Sequence, residues 1–136
     1  MAETLRIAVS GLNAAIVRVV NVASNVVNVL STGRLPQRPE EKASCHQPRD
    51  VVAISCSAGN NNLGVKISTK PREPFYNTEP APASSLTDSA GMIAAPNVDL
   101  AKELVEAKMA EIAYKANAAV IRAERDKDQD LLNTLA

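Results

Sequence analysis

The placement of the prolines most strongly limits what this chain can fold into. All eight lie between Pro36 and Pro96, and residues 1–31 and 97–136 contain none. Proline removes a backbone donor and clashes with the preceding turn, so helix interiors exclude it. We therefore expect an N-terminal helix within residues 1–33, a different middle segment at 34–96, and a C-terminal helix within 97–136. The two helices would form one helical domain.

The N-terminal segment carries a heptad repeat of apolar residues. One row holds Leu5, Leu12, Val19 and Val26, and the companion row holds Ala8, Ala15, Val22 and Val29. Such a repeat is typical of a helix that packs along another helix. Ser31-Thr32-Gly33, followed by Pro36, predicts that this helix ends near Leu30.

The C-terminal segment has a similar pattern after Pro96. Asn97 is the expected N-cap, and Asp99 would lie in the first turn, where a carboxylate favours the helix dipole. The apolar rows are Val98, Val105, Ile112 and Ala119, with Met109, Ala116 and Ala123. The predicted fold is therefore mainly α, with two long terminal helices packed as an antiparallel coiled-coil-like pair.

The middle segment is predicted to be a Pro-rich extended region with one small β-hairpin. Residues 50–56 are rich in β-branched side chains, and residues 65–70 alternate between apolar and polar types. Turn-forming residues occupy 59–64 between them. Residues 34–49 and 71–95 carry Pro, Ser and charge, so we expect them to be extended or partly disordered.

The residue inventory argues against an enzyme and predicts no cofactor and no small-molecule substrate. His46 is the only histidine, and a Cys–His pair with Cys45 would need a rigid scaffold rather than a loop. Cys45, His46 and Cys56 lack the short cysteine spacing of a zinc site, so no metal is expected. Whether the two cysteines pair stays open. Fifteen basic and fifteen acidic residues balance, which disfavours nucleic acid as a partner.

The apolar segment Ala14–Leu30 raises the question of a membrane span or a leader. It is interrupted by Arg18 and by asparagines, and it is shorter than the roughly 20 apolar residues that a spanning helix needs. Glu3 offsets Arg6, and no small-residue cleavage site follows an apolar block. We therefore expect neither a membrane helix nor a cleaved signal peptide.

Three asparagines form a polar stripe beside the apolar rows of the N-terminal helix. Asn21, Asn25 and Asn28 lie at i, i+4 and i+7. Asparagine is a mediocre helix former, so its recurrence at helical spacing calls for a reason. The stripe is either solvated or bonded to a neighbouring helix, where it would fix the register between subunits.

The two ends of the chain resemble the bacterial flagellar rod and hook family. The N-terminal stretches that carry the resemblance are Ser10-Gly11-Leu12-Asn13-Ala14, Ala23-Ser24-Asn25-Val26-Val27-Asn28 and Ser31-Thr32-Gly33. The C-terminal stretches are Pro96-Asn97-Val98-Asp99-Leu100-Ala101, Glu103-Leu104-Val105 and Ala113-Tyr114-Lys115-Ala116-Asn117. Tyr76, Asp88 and Gly91-Met92-Ile93 add a resemblance to the family's short proximal-rod members.

The resemblance implies a structural subunit of the flagellar basal-body rod in the periplasm. It further implies terminal helices that order on assembly into an axial, torque-transmitting tube, and export by the flagellar type III apparatus without signal cleavage. The partners would be copies of the chain and other rod proteins. The expected interface residues are Leu5, Leu12, Val19, Asn21, Val22, Asn25, Val26, Asn28, Asn97, Val98, Asp99, Val105, Ile112, Tyr114, Ala116 and Asn117. The alternative is a helical adaptor or secretion chaperone that binds a partner's amphipathic helix.

Overall fold

A long helix lies at each end of the chain, and the strands lie between them in the sequence. The computed structural model describes residues 2–56 and 64–135. The elements are α1 (Ala2–Val27), β1 (Arg49–Cys56), β2 (Gly64–Pro71), β3 (Tyr76–Pro80), β4 (Met92–Pro96) and α2 (Leu100–Leu135). The prediction of a long helix at each end is confirmed. Each helix also contributes residues to both of the compact units into which the chain divides.

The first unit comprises Met1–Val20, Val51–Ser68 and Val105–Ala136, and the second comprises Asn21–Asp50 and Thr69–Leu104. In the first unit, α1 and α2 run antiparallel. The side chain of Asn117 on α2 lies against Gly11 on α1, and Thr4 is hydrogen-bonded to Glu124. Small side chains line this contact, which is why the two backbones come close. The buried apolar residues on the two helices here are Ala8, Ala14, Ala15 and Ala110.

Leu5 and Val19, from the apolar row that also holds Leu12 and Val26, lie outside the contact between α1 and α2 in the first unit. Leu5 is 42% exposed and Val19 is 45% exposed, whereas Ala8 and Ala15 of the companion row are buried. On α2, Ile112 is 67% exposed, while Ala110 is fully buried. The two helices therefore pack through their small residues and leave the larger apolar ones outside.

The N-cap of α2 and the last residue of α1 both differ from the prediction. The Asp99 side chain caps α2, because its Oδ1 accepts hydrogen bonds from the amides of Ala101 at 2.9 Å and Lys102 at 3.2 Å. The prediction of Asn97 as N-cap was wrong, since its side chain donates to the Pro74 carbonyl instead. At the other helix, α1 ends at Val27, slightly before the predicted end near Leu30.

The middle segment contains more regular structure than predicted. β1 and β2 form a two-stranded sheet where the hairpin was expected. Most of its predicted turn, residues 59–63, lies outside the described residues. β3 and β4 form a second, antiparallel sheet with Tyr76 opposite Pro96 and Pro80 opposite Met92. The prediction of 71–95 as extended or partly disordered did not include this pairing. The mainly-α fold class is therefore only partly consistent with the structure, whose described residues include two small sheets beside the helices.

The second sheet forms because β4 supplies the core of the second unit. Residues 93–96 are all buried, and Ala94 is fully so. Gly33 adds a bridge to this strand: its N–H donates to the Ala94 carbonyl at 2.8 Å, and the Ala94 N–H donates back at 2.9 Å. A Cβ at Gly33 would collide with the backbone of Ser44 and Cys45. Glycine is therefore the residue that fits this position.

The apolar character of α1 extends beyond the segment considered from the sequence. Over Glu3–Val27 the helix is long and apolar enough to cross a membrane, although core helices and signal sequences satisfy the same criterion. Length and composition therefore do not distinguish a membrane span from a core helix or a signal sequence.

Both cysteines are half-buried free thiols, and burial raises the pKa of the Cys45 thiol.

Candidate functional site

A polar cluster in the second unit is organised around Arg72, which directly follows β2. Its Nε and Nη2 donate to Asp50 Oδ1 at 3.1 and 2.8 Å, and Nη2 also donates to Glu103 Oε1 at 2.8 Å. Nη1 donates to the Asn97 carbonyl at 2.9 Å. The guanidinium thereby joins the start of β1, the segment before α2, and the first turn of α2.

Burial makes this ion cluster different from the charge pairs along α2. The side chain of Arg72 is 11% exposed and that of Glu103 only 3%. The hydrogen bond from Arg72 holds the pKa of the Asp50 carboxyl below its usual value. Burial disfavours the charged form of Arg72, but hydrogen bonds to Asp50 and Glu103 outweigh it and raise the pKa of Arg72. Arg72 and Asp50 therefore each favour the charged form of the other.

Asn25 extends the cluster to α1. It is 1% exposed, and its Nδ2 donates to Glu103 Oε1 at 3.1 Å and to the Arg49 carbonyl at 3.0 Å. Its Oδ1 accepts from the Arg49 N–H at 3.1 Å. The side-chain amide thus pairs with the backbone of Arg49 as a neighbouring strand would. Asn21 adds a bond from Nδ2 to the same carbonyl at 2.7 Å.

The asparagine stripe is thus divided between two roles. Asn21 and Asn25 bond to Arg49, and Asn25 also bonds to α2 of the same chain. Asn28 instead donates to the Ser24 carbonyl and accepts from the Ser31 hydroxyl, so it serves the end of α1. A solvated stripe does not describe Asn25. A role for these side chains in register between subunits stays a prediction.

We expect Asn25→Ala and Asn28→Ala to differ sharply in stability. The first leaves the Arg49 N–H without its acceptor and removes one of two donors from both Glu103 Oε1 and the Arg49 carbonyl, at a cost of about 1–3 kcal/mol. The second removes only local bonds at a helix end and should cost about 0.5 kcal/mol. Hydrogen exchange of the second-unit amides measures both. Equal protection in the two variants would contradict this assignment.

Asn97 ties the segment before α2 to the residues that lead into β3. Its N–H donates to the Phe75 carbonyl at 2.9 Å, and its Nδ2 donates to the Pro74 carbonyl at 2.8 Å. Its Oδ1 accepts from Asn77 at 3.3 Å. Together with the bond from Arg72 to its carbonyl, these contacts use every polar group of Asn97.

A smaller cluster in the first unit surrounds Ser10 and Gly11. The Ser10 hydroxyl donates to the Ile7 carbonyl at 2.7 Å and accepts from the Val65 N–H at 3.1 Å, which attaches β2 to α1. Gly64, at a φ of 125°, lies directly against Ser10. Gly11 receives Asn117, whose Nδ2 donates to the Ala113 carbonyl at 2.8 Å. Consecutive residues of α1 therefore hold β2 and α2.

These clusters show which expected residues meet. Asn21, Asn25 and Asn97 come together in the second unit with Glu103, which was not among the expected interface residues. Val105, Ile112 and Tyr114 are exposed on α2. The sequence analysis missed Asp50 and Arg72 because neither lies in an apolar repeat. A signal was available at Glu103, seven residues before Ala110, on the small-residue face of α2. A carboxylate on a buried face predicts a buried cation.

The arrangement suits holding the chain together rather than reacting with a substrate. Arg72, Asp50, Glu103 and Asn25 bond to one another or to backbone groups. Within residues 2–56 and 64–135, no group of three His, Cys, Asp or Glu side chains is placed to hold a metal ion.

The contacts described above join the two terminal helices through Gly11 and Asn117 in the first unit and through Asn25 and Glu103 in the second. No family model matches the sequence. The chain is 31% identical over 122 residues to the flagellar basal-body rod protein FlgC of Agrobacterium fabrum (strain C58 / ATCC 33970). The match covers 89% of this chain and 85% of that protein. The chain therefore belongs to the flagellar basal-body rod protein family.

Proposed function

We propose that this protein is a structural subunit of the proximal rod, of the same type as FlgC. The observation that carries the proposal is the match to FlgC along most of both chains. The signature residues of the two ends add support, because they lie in the polar contacts around Gly11 and Asn25. In this role the subunit transmits torque as part of an axial tube, and it performs no catalysis.

The exposed apolar rows supply the surface through which the subunit assembles. Leu5, Val19 and Val20 on α1 are each more than two-fifths exposed, and so are Val105 and Ile112 on α2. Apolar surface of this extent is typical of protein–protein contact. In our proposal it packs against copies of this chain and against other rod proteins. Coiled-coil-like contact between subunits then uses the rows that the heptad repeat predicted.

The remaining parts of the proposal follow from membership of the family. The subunit reaches the periplasmic rod through the flagellar type III export apparatus without signal cleavage. Its terminal helices gain order when neighbouring subunits cover them. Electron microscopy of basal bodies that carry a tagged copy of this chain tests the location. A tag seen at the rod supports the role, and a tag found only in a soluble complex with one client favours an adaptor.

Leu12→Asp and Ile112→Asp should abolish swimming while the variant protein still folds and is exported. Ile112 is 67% exposed, so a charge there disturbs the surface between subunits rather than the chain itself. Leu12 is half-buried, so the helical circular dichroism signal of its variant has to match that of the parent chain. Burying an unpaired carboxylate at such a contact costs several kcal/mol. Motility and recovery of the subunit in basal bodies are the measurements.

Asn13→Asp is the matched control for these assembly variants. It places the same charge on an exposed polar position next to Leu12 and should leave swimming intact. Normal motility in both the Leu12 and the Ile112 variants would show that these faces make no contact between subunits.

A further inference from the structure

The end of α2 projects beyond the start of α1 in the first unit. Because Thr4 lies opposite Glu124 and Gly11 opposite Asn117, the start of α1 lies near residue 126 of α2. The following residues to Leu135 therefore extend past Ala2 by roughly 13 Å. We call residues 127–135 the overhang. Its leucines have no covering side chain: Leu132 is 68% exposed and Leu135 is 84% exposed.

The overhang also carries a net negative charge. Asp128 and Asp130 form no ion pair with any residue that the structure describes. The last turn of α2 contains no basic residue. The overhang thus combines leucines with carboxylates, and it calls for an apolar pocket with cations at its rim.

The second unit contains a groove of that kind. A hollow of about 510 Å³ has apolar walls formed by Pro36, Pro39, Phe75 and Tyr76. Arg38 and Lys42 line both this hollow and a second one of about 410 Å³, which Arg34 also lines. The three cations are exposed and have no ion-pair partner among residues 2–56 and 64–135. Glu41 is the one carboxylate in the lining, and it accepts from the Gln37 N–H.

We propose that this groove binds the overhang of a second copy of the chain. The leucines of the overhang lie against the Pro and aromatic walls, and Asp128 and Asp130 face Arg38 and Lys42. The inference rests on the proposed function, because it supplies one contact between copies in the rod. It goes further by naming the two surfaces and their direction.

The contact joins two different surfaces, a groove on one copy and an overhang on the next. It can therefore repeat from copy to copy in one direction, so that linked copies form a series. Opposite charges at its rim also align the partners and disfavour like-to-like approach.

Cysteine cross-linking of the full-length chain tests the contact. In a Cys45→Ser/Cys56→Ser background, Gln37→Cys places a thiol in the groove and Leu132→Cys places one on the overhang. Mild oxidation of isolated basal bodies should give a ladder of linked multimers. Gln37→Cys with Lys108→Cys, an exposed position of α2 away from the overhang, should give none.

Charge exchange shows whether the named groups cause the contact. Arg38→Glu/Lys42→Glu or Asp128→Lys/Asp130→Lys should each lower the cross-linked fraction by about fivefold. The two exchanges combined in one chain should restore it to within about twofold. High salt should weaken cross-linking of the parent chain, since the rim charges are exposed.

Four outcomes would overturn the proposal: no ladder, an equal ladder from the Lys108 control, a link within one chain, or a link only to another protein. A tagged chain that is present in the rod without the ladder refutes the docking surface and leaves the proposed function intact. A tagged chain that is absent from the rod refutes the function itself.

Discussion

Arg72→Met should lower the free energy of unfolding of the second unit by about 3–5 kcal/mol. Methionine keeps much of the apolar stem but removes the cation on which Asp50 and Glu103 depend. Glu103 is almost fully buried, so water cannot replace the lost partner. Hydrogen exchange of the amides in β4 is the suitable measurement, because these residues form the core of this unit.

Two further variants separate a charge effect from a packing effect. Lys115→Met removes a pair with Glu111 that is equally short, at 2.7 Å, but exposed, and it should leave stability almost unchanged. Arg72→Met/Glu103→Gln removes the stranded charge and keeps an acceptor for Asn25, so it should recover part of the loss. A double variant as unstable as Arg72→Met would show that packing of the guanidinium, not charge, is what matters.

Gly11→Ala should destabilise the first unit, although the same change within an exposed helix stabilises it by about 1 kcal/mol. A methyl group at Gly11 would lie 2.5 Å from Oδ1 and 2.6 Å from Nδ2 of Asn117. Relief requires the two helices to separate or Asn117 to leave its place, and overpacking of this kind costs about 1–3 kcal/mol. Hydrogen exchange along α1 and α2 and the helical circular dichroism signal report the loss.

Asn117→Ala provides the matching test for this contact. The single change removes a bond within α2 only, so its own effect should be small. In the Gly11→Ala/Asn117→Ala variant the methyl groups have room, and stability should return to that of the parent chain or exceed it. If Gly11→Ala alone stabilises the protein, the close approach of the two helices at this point is wrong.

The sequence predicts the helices well because their signals are local. The absence of proline and the long apolar repeats depend on neighbours along one helix, and both helices appear where expected. The cap of α2 was misassigned between two residues of one motif, Asn97 and Asp99. Either can cap a helix, and only the tertiary bonds of Asn97 to Pro74 and Asn77 leave Asp99 free to do so.

The second sheet and the ion cluster could not be read from the sequence for a different reason. β3 contains polar residues and ends in proline, so its five residues do not predict a strand. It forms because β4, a short apolar run, needs a partner along its edge. Arg72 likewise has no repeat or motif around it, and its role depends on Asp50 and Glu103, which are distant in sequence.

The heptad repeat predicted helix contact correctly but not which residues make it. An apolar row can face the chain's own second helix or a neighbouring subunit, and periodicity is the same in both cases. Alanines and glycine allow the two backbones to approach, which larger residues such as Leu5 and Ile112 would prevent. The chain thus uses its small row internally and leaves much of its large row exposed, where we propose that partners pack.

This division of the rows has a consequence for the subunit before assembly. Covering a leucine or isoleucine side chain is worth about 1.5–3 kcal/mol, and this chain leaves many of them in water. The exposed apolar surface that drives assembly in the proposed function therefore also makes the free protein prone to aggregate. A cell that makes it has to keep its concentration low, deliver it quickly or cover these faces on the way, since the alternative is a precipitate formed by the same attractions.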